Sequence, residues 1–415
     1  MGCIRWTTNW ETAAGRAVCT MLALVATLLA LGALAGSASA QDDAGEINVQ
    51  LNASSEFDST LTSATPEEQA FMNEHYSRMR GYAPFFDRAL GWAPPAHFYQ
   101  DLYALYRNDP RDEKLMQEHP DWVLRDAHGN ALYIQFACGG GSCTQYAADV
   151  GSPAFRAHWI DMARANMVKG YDGIFIDDVN MEMKVSNGNG DFVRPVDPRT
   201  GAPMTDENWR RYVAEFTEQI RAAFPESEIV HNSLWWMDRN DPYVQRQVAA
   251  ADYVEMERGF ADTGIVGGSG QWSYSNYLSY VDWLHSLGKG AVLEPHELDD
   301  QSRMFELGSY FLVSDGEDSI AADYGTHPDE WWSGWDTDLG APQTERREWK
   351  GLLRRDFEGG VVIVNEPDAG AVSVKLPPRR WTDPDGNRVK RRVALEERSA
   401  LVLVKGPRVR RGNRR

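Results

Sequence analysis

Beyond residue 40 the chain alternates between two patterns. Short runs of β-branched and aromatic residues, bounded by Gly, Pro, Asn or Asp, occupy 47–53 (INVQLNA), 96–106 (AHFYQDLYALY), 145–151, 173–179 (GIFIDDV), 228–234, 252–258 (DYVEMER), 290–296 and 309–315. Between most of them lie longer stretches whose apolar positions follow a helical repeat. One spans 65–80, with Thr65 as N-cap and Pro66 at the first helical position; another runs from Ser152 to Gly170; a third ends just before Pro225. Eight strands alternating with helices predict an α/β fold, a (β/α)8 TIM barrel over 41–340. An open doubly wound sheet fits less well, because no strand is followed by a glycine-rich phosphate loop. Residues 122–134 (WVLRDAHGNALYI) read as a hairpin inserted before the third strand.

The period changes beyond residue 340. EGGVVIVNEP, AVSVKLP, RWTDPDGNRVKR and SALVLVKG are short, alternating and separated by turn residues. They predict a small antiparallel β-sandwich at 341–405. Residues 1–40 stand apart: Arg5 and Arg16 precede an apolar run from Val18 to Ala35, and Ser37–Ala40 offers a small-residue cleavage site. That is the plan of a secretory signal peptide, so a secreted or periplasmic protein is expected, with no membrane span after signal removal.

Charge sharpens the division. The net charge of −19 is the sum of −29 over 41–340, +4 over 341–405, +5 in the basic tail 406–415, which is expected to be disordered, and +1 in the first forty residues. So acidic a barrel repels phosphate backbones and argues against a nucleic-acid partner. Cys138 and Cys143 are the two cysteines left after signal removal, and in an exported chain so close a pair reads as a disulfide pinning ACGGGSC.

In a barrel of this kind chemistry sits at the C-terminal ends of the strands. The expected strand ends carry Asp149, Asp177 with Asp178, His231 with Asn232, Glu257, Glu294 with His296, and Asp315. Strand side chains alternate, so one of Asp177 and Asp178 faces the barrel and the other does not; parity alone does not say which. Glu255 and Glu257 share a face, with Glu257 nearer the mouth, unless it pairs with Arg258. Two carboxylates on different strands suit glycosidic cleavage, one protonating the leaving oxygen and the other attacking the anomeric carbon or activating water. Asp178, Asp149, Asn232 and Glu294 are then candidates to orient sugar hydroxyls, and Trp235 with Trp236, and Trp331, Trp332 and Trp335, to stack on sugar rings. The glycine-, asparagine- and proline-rich segment 180–207 is long enough to form a cleft wall. Neither SNGNGD (186–191) nor the group His296, Glu297 and Asp299 has a metal-ligand spacing, and no cofactor or metal is expected. A non-catalytic carbohydrate-binding or cell-surface protein on the same scaffold is the alternative.

Taken together, AADVGSPAFRAHW, KGYDGIFIDDV, DYVEMERGF and the terminal FEGGVVIVNEP…LVLVK resemble bacterial glycoside hydrolases catalogued as hypothetical glycosyl hydrolase family 15. More distantly they resemble the endo-α-1,4-polygalactosaminidase group. The resemblance implies a (β/α)8 barrel with a C-terminal β-sandwich and a polysaccharide or oligosaccharide substrate. It puts Asp177 at the final, catalytic position of the Asp-Gly-x-Phe-x-Asp strand and Glu257 on a later strand, where Arg-Gly follows it in this chain.

Overall fold

The computed structural model describes residues 44–52, 63–83, 85–296, 299–322 and 331–406. The expected signal peptide and all but the first residue of the basic tail lie outside them. Eight parallel strands close into a barrel: β1 (Asn48–Asn52), β2 (Arg78–Gly81), β3 (Ala96–Asp101), β4 (Gly173–Asp177), β5 (Glu228–Asn232), β6 (Tyr253–Glu257), β7 (Gly290–Glu294) and β8 (Ser319–Ala321). Each pairs with its chain neighbours, and β8 returns to β1. Phe175, Val230 and Val292 meet inside the barrel, whereas Ile174, Ile176, Ile229 and Val254 join the larger core under the helices. The odd-numbered positions of β4 therefore face inward. Parity then carries Asp177 into the mouth.

One expected helix and two expected strands differ. The stretch 65–80 is not one helix: α1 (Pro66–His75), closed by a Thr65–Glu68 capping box, stops at His75, and Arg78–Gly81 is β2. This strand hides in sequence because its inward residues are arginines, which partner acids from β5, β6 and β7. The run 145–151 is not the third barrel strand. Gln145–Ala147 pairs antiparallel with Ala104–Tyr106 and Tyr133–Ile134, in a four-stranded sheet outside the barrel whose fourth strand, Val185–Ser186, comes from the loop after β4. The hairpin at 122–134 forms part of the same excursion, with Arg125 bridged to Ala131. The run 309–315 is the end of a helix, as described below, and β8 follows it, so Asp315 sits where the chain enters β8, at the end opposite the mouth.

The remaining helices are α2 (Pro110–Glu118), α3 (Pro153–Met167), α4 (Asp206–Ala223), α5 (Pro242–Ala250), α6 (Tyr274–Ser286) and α7 (Asp300–Val313). Polar N-caps begin all of them: Asp109, Ser152, Thr205, Asp241, Ser273 and Asp299 each accept a backbone N–H of the first turn. Helix α7 is buried from Phe305 to Val313 because it lies between the barrel and a C-terminal layer, so apolar residues surround its few polar ones, Glu306 and Ser309, on every side. Strands β9 (Arg347–Trp349), β10 (Leu352–Asp356), β11 (Gly360–Asn365), β13 (Trp381–Thr382) and β15 (Ser399–Lys405) form an antiparallel sheet, and β12 (Val372–Lys375) pairs with β14 (Arg392–Leu395). The two sheets share a core of Val361, Ile363, Val374, Leu395 and Leu403. The other face of the larger sheet, Val362, Val364, Ala400 and Val402, joins the barrel core. At Gly308 a Cβ would come within 2.4 Å of that of Ala400, so glycine permits this close approach. Arg355 Nη1 donates to the carbonyls of Phe311 (3.0 Å) and Ser314 (2.7 Å), capping α7 from the sheet.

Candidate active site

The C-terminal ends of β3 to β6 open onto a cleft of about 570 Å³. Asp177, the last residue of β4, stands on its floor. Its Oδ1 accepts Asn232 Nδ2 (2.8 Å) and its own successor's N–H at Asp178 (2.8 Å), while Tyr99 on β3 donates its hydroxyl to Oδ2. That backbone bond goes with φ of 54° at Asp178, a left-handed conformation that ends the strand abruptly. Asn232 ends β5, and the same amide nitrogen reaches Glu257 Oε2 at 3.4 Å. Two oxygens at 2.8 and 3.4 Å from one nitrogen lie at most 6.2 Å apart, the two distances laid end to end. Asn232 thus spaces two carboxylates rather than only waiting for a sugar.

Glu257 is exposed to the cleft. Loss of hydration among the surrounding protein atoms, then the charges of Glu294 and Asp177, raise its pKa. Arg258 does not neutralise it: with φ of 72° it turns away, and its guanidinium lies 3.9 Å from Asp262. The glycine that follows is required by space as well as by φ of 58°, because a Cβ at Gly259 would sit 2.4 Å from Glu306 Oε1. Glu306 Oε2 accepts the Ala261 N–H at 2.7 Å and holds the loop after β6 in place.

One turn deeper, Arg80 donates to Glu255 (2.8 Å) and Glu294 (2.9 Å) and lies over the Phe175 ring. Asn52 donates to Glu294 as well, and Gln50 to Glu255 (3.0 Å). Burial alone would raise Glu294; Arg80 and then His296 outweigh it and hold the carboxyl at about 2. Burial, then the Glu294 charge, drive Glu255 the other way. Neither glutamate lines the cleft, so Glu294 lies beneath the site and does not reach a sugar in it. Two other candidates also face elsewhere. Asp149 takes a bidentate grip from Arg199 (2.8 to 3.0 Å) and accepts Gly151 N–H, anchoring the long loop after β4. His231 points into the helix layer, 2.9 Å from Gln247, and burial lowers it to about 3.

The cleft wall is aromatic. Trp235 is buried and stacked on Tyr277 at 4.5 Å, whereas Trp236 packs on Trp272 at 4.3 Å. Trp236 Nε1 donates to Glu182 (3.3 Å), which pairs with Lys184 (3.1 Å), whose ammonium lies over Phe136. Phe136 and Trp272 keep 60% and 45% of their surface exposed, so both offer ring faces to a ligand. Phe136 leads into the short hairpin closed by the Cys138–Cys143 disulfide. Trp331 and Trp335 instead pack together below, with Trp331 against Phe71, His75 and Tyr76 at the end of α1, and none of Trp331, Trp332 and Trp335 lines the cleft. Among the described residues, one group of three metal-type side chains has donor atoms within 4.8 Å of one another: His285, Asp315 and Asp318. It lies at the far end of the barrel, and Asp318 is already engaged by His285 (3.0 Å) and the Ala291 N–H (2.7 Å).

Sequence reasoning passed over Tyr99, Asp101, Phe136 and Trp272. Asp101 had a signal, since it ends a strand at the same level as Asp177, but the run 96–106 continues apolar past it. Trp272 sits in a glycine-rich loop with no periodicity to read.

Solved structures are similar to this chain at low identity. The glycoside hydrolase domain of PelA from Pseudomonas aeruginosa is 14% identical, with 66% of this chain and 94% of that one covered and a TM-score of 0.42. The debranching enzyme of Nostoc punctiforme is 11% identical, with 88% and 98% covered and a TM-score of 0.45. The cyclic α-maltosyl-(1→6)-maltose hydrolase of Arthrobacter globiformis is 12% identical, with 87% and 98% covered and a TM-score of 0.46. No curated protein matches. Hypothetical glycosyl hydrolase family 15 matches residues 93–361. That span runs from β3 across the carboxylate floor to the C-terminal sheet, and the chain belongs to this family of glycoside hydrolases.

Proposed function

We propose that the protein is an exported hydrolase of O-glycosidic bonds in a polysaccharide, using Asp177 as nucleophile and Glu257 as general acid. The observation that carries this is the Asn232 bridge, which sets the two carboxylates from different strands at most 6.2 Å apart at their nearest oxygens. Inverting enzymes leave about 6.5–9.5 Å for a water, whereas retaining ones bring the groups to about 5–5.5 Å. The spacing favours retention. Asp177, held by Tyr99, Asn232 and the Asp178 N–H, would attack the anomeric carbon while Glu257 protonates the departing oxygen. Glu257 would then take a proton from water as that water releases the sugar. The raised pKa of Glu257 suits an acid that must carry its proton near neutrality. Opposed to this is a binding protein without turnover, which would need Glu257 neutralised by Arg258; the guanidinium is directed at Asp262 instead.

The long apolar run behind Arg5 and Arg16 supports export, and the exposed rings of Phe136 and Trp272 support a polymer lying along the wall. The test is release of reducing ends from bacterial exopolysaccharides and from α- and β-linked glucans and galactosaminans, by the mature chain beside Asp177→Asn. Products from wild type alone, with the starting anomer retained by NMR, are expected. Equal turnover in the variant overturns the assignment of Asp177.

A further inference from the structure

Beside Asp177 the cleft floor carries a second pair of carboxyls that the reaction above does not use. Asp101 ends β3 directly opposite Asp177 on β4 and is 6% exposed. Its Oδ1 accepts the N–H groups of Tyr103 and Ala104, each at 2.7 Å, in the turn that takes the chain out of the barrel. Its Oδ2 is buried and receives no N–H or hydroxyl donor. The group that reaches Asp101 is the Asp178 carboxyl, whose other partner is Asn180 Nδ2 at 2.7 Å. Asn180 is itself fixed, because it is buried and its carbonyl accepts Trp209 Nε1 at 2.8 Å.

Two ionised carboxylates repel at such range and cannot hydrogen-bond, whereas one proton between them satisfies both and answers the orphaned oxygen. Among the described residues, no cation forms an ion pair with either carboxyl. The charged groups facing the pair are the carboxyls of Asp177 and Glu257, and the phenols of Tyr99, Tyr103 and Tyr106 close around Asp101 and Asp178. Arg258, the one cation among the residues lining the cleft, is turned to Asp262. Two donors of the cleft are already engaged: the Asn232 amide faces two carboxylates and Trp236 Nε1 faces Glu182.

We propose that Asp101 and Asp178 share one proton and together form a sugar-hydroxyl site, presenting a neutral carboxyl to a hydroxyl next to the carbon that Asp177 attacks. A protonated carboxyl donates and accepts at once, as a hydroxyl does, so it supplies a donor beside Asp177. Hydrogen bonds to a hydroxyl beside the anomeric carbon strengthen as charge develops there. The left-handed Asp178 residue, a conformation that L side chains rarely adopt, directs one carboxyl to Asp101 while its N–H serves Asp177. Burial, then the charges of Asp178 and Asp177, raise Asp101 well above the usual carboxylate range, and burial, then the Asp177 charge, raise Asp178 to about 7. The pair therefore still holds one proton above about pH 7, where Asp178 has no second proton of its own.

The hydroxyl site rests on the hydrolase reading, but its proton can be tested without turnover. Difference infrared spectra of the mature chain between about pH 5 and pH 9 are expected to lose a protonated-carboxyl band with a midpoint near 7. A second protonated-carboxyl band should persist at about pH 9, because Asp101 is raised further. Asp101→Asn keeps the oxygen that Tyr103 and Ala104 use but carries no acid proton, so it should abolish the persistent band, while Asp178→Asn should abolish the one that titrates near 7. No persistent band in wild type, or one that survives in Asp101→Asn, overturns the proposal. If Asp177→Asn kills hydrolysis while no band persists, the pair fails alone. If both bands behave as stated and no polysaccharide is cleaved or bound, the hydrolase reading and the hydroxyl site fail together, and the shared proton stands.

Discussion

Two levels of the barrel interior carry similar residues and treat them in opposite ways. At the lower level every acid meets a cation: Glu228 pairs with Arg78 (2.7 Å) and His97 (3.0 Å), and Glu255 and Glu294 share Arg80. At the mouth Asp101, Asp177, Asp178 and Glu257 converge, and among the described residues no arginine or lysine forms an ion pair with any of them. Buried charge is costly unless it is paired. The lower level meets that cost with arginine; at the mouth Asp101, Asp178 and Glu257 instead have raised pKa values, burial being the first cause in each. A polar barrel interior is therefore two systems, and only the unpaired one is available to a substrate.

The most severe break of this contrast is Asp177→Asn. Turnover should fall on the order of 10⁴-fold, as when a nucleophile is removed, with no loss of thermal stability, because Tyr99 and Asn232 can still hydrogen-bond an amide. Kinetics beside a melting curve check both halves; a fall in both together would mean that the mouth is structural after all. Next is Arg80→Met, which strands Glu294 and Glu255 without their cation. Breaking such a buried pair costs about 3–5 kcal/mol, to be read from denaturant unfolding. A loss under about 1 kcal/mol, the value of exposed pairs, would erase the distinction between the levels.

The sequence carries the two levels unequally. GIFIDDV and DYVEMER announce their strands through apolar alternation, and their acids follow by parity once the barrel is inferred. Strand β2 does not announce itself, because Arg-Met-Arg-Gly makes sense only when acids from β5, β6 and β7 surround it, and those partners lie about 150 to 215 residues away along the chain. Helix α7 misleads in the opposite direction: covered on both sides, it lacks the polar face that marks a helix. The misplaced Asp149 and Asp315 follow from those two errors of register, not from any property of the aspartates. Asp177 and Glu257 are legible as a pair because each ends a strand with clear apolar alternation; the amide that spaces them is legible only as a polar strand end.

A smaller effect sharpens what the mouth offers. Trp272→Ala removes an exposed ring that packs on Trp236. Because that ring supports no core, its loss should raise KM for a polymer roughly 10-fold, about 1.4 kcal/mol, and leave both kcat and melting temperature near wild type. A drop in kcat with unchanged KM would mean that the ring positions Glu257 rather than the sugar.

The finest test compares the pH dependence of the two levels. Glu228 is held at about 2, where burial is outweighed by His97 and Arg78. A carboxyl whose folded pKa is depressed supports the fold above its ordinary value, and that support fades as pH falls through about 2. Asp178 runs the other way. Burial and Asp177 raise it to about 7, so the folded chain keeps a proton that the unfolded chain releases near pH 4. Its stabilising share is complete below that value and is lost as pH rises through 7. Asp178→Asn should therefore match wild type at pH 3 and exceed it by about 1 kcal/mol at pH 8, the usual scale of stability conceded at a functional site. Melting curves across that range decide the matter. Equal curves at pH 8 would place Asp178 among the compensated acids of the lower level, and the contrast between the two levels would then rest on Asp177 and Glu257 alone.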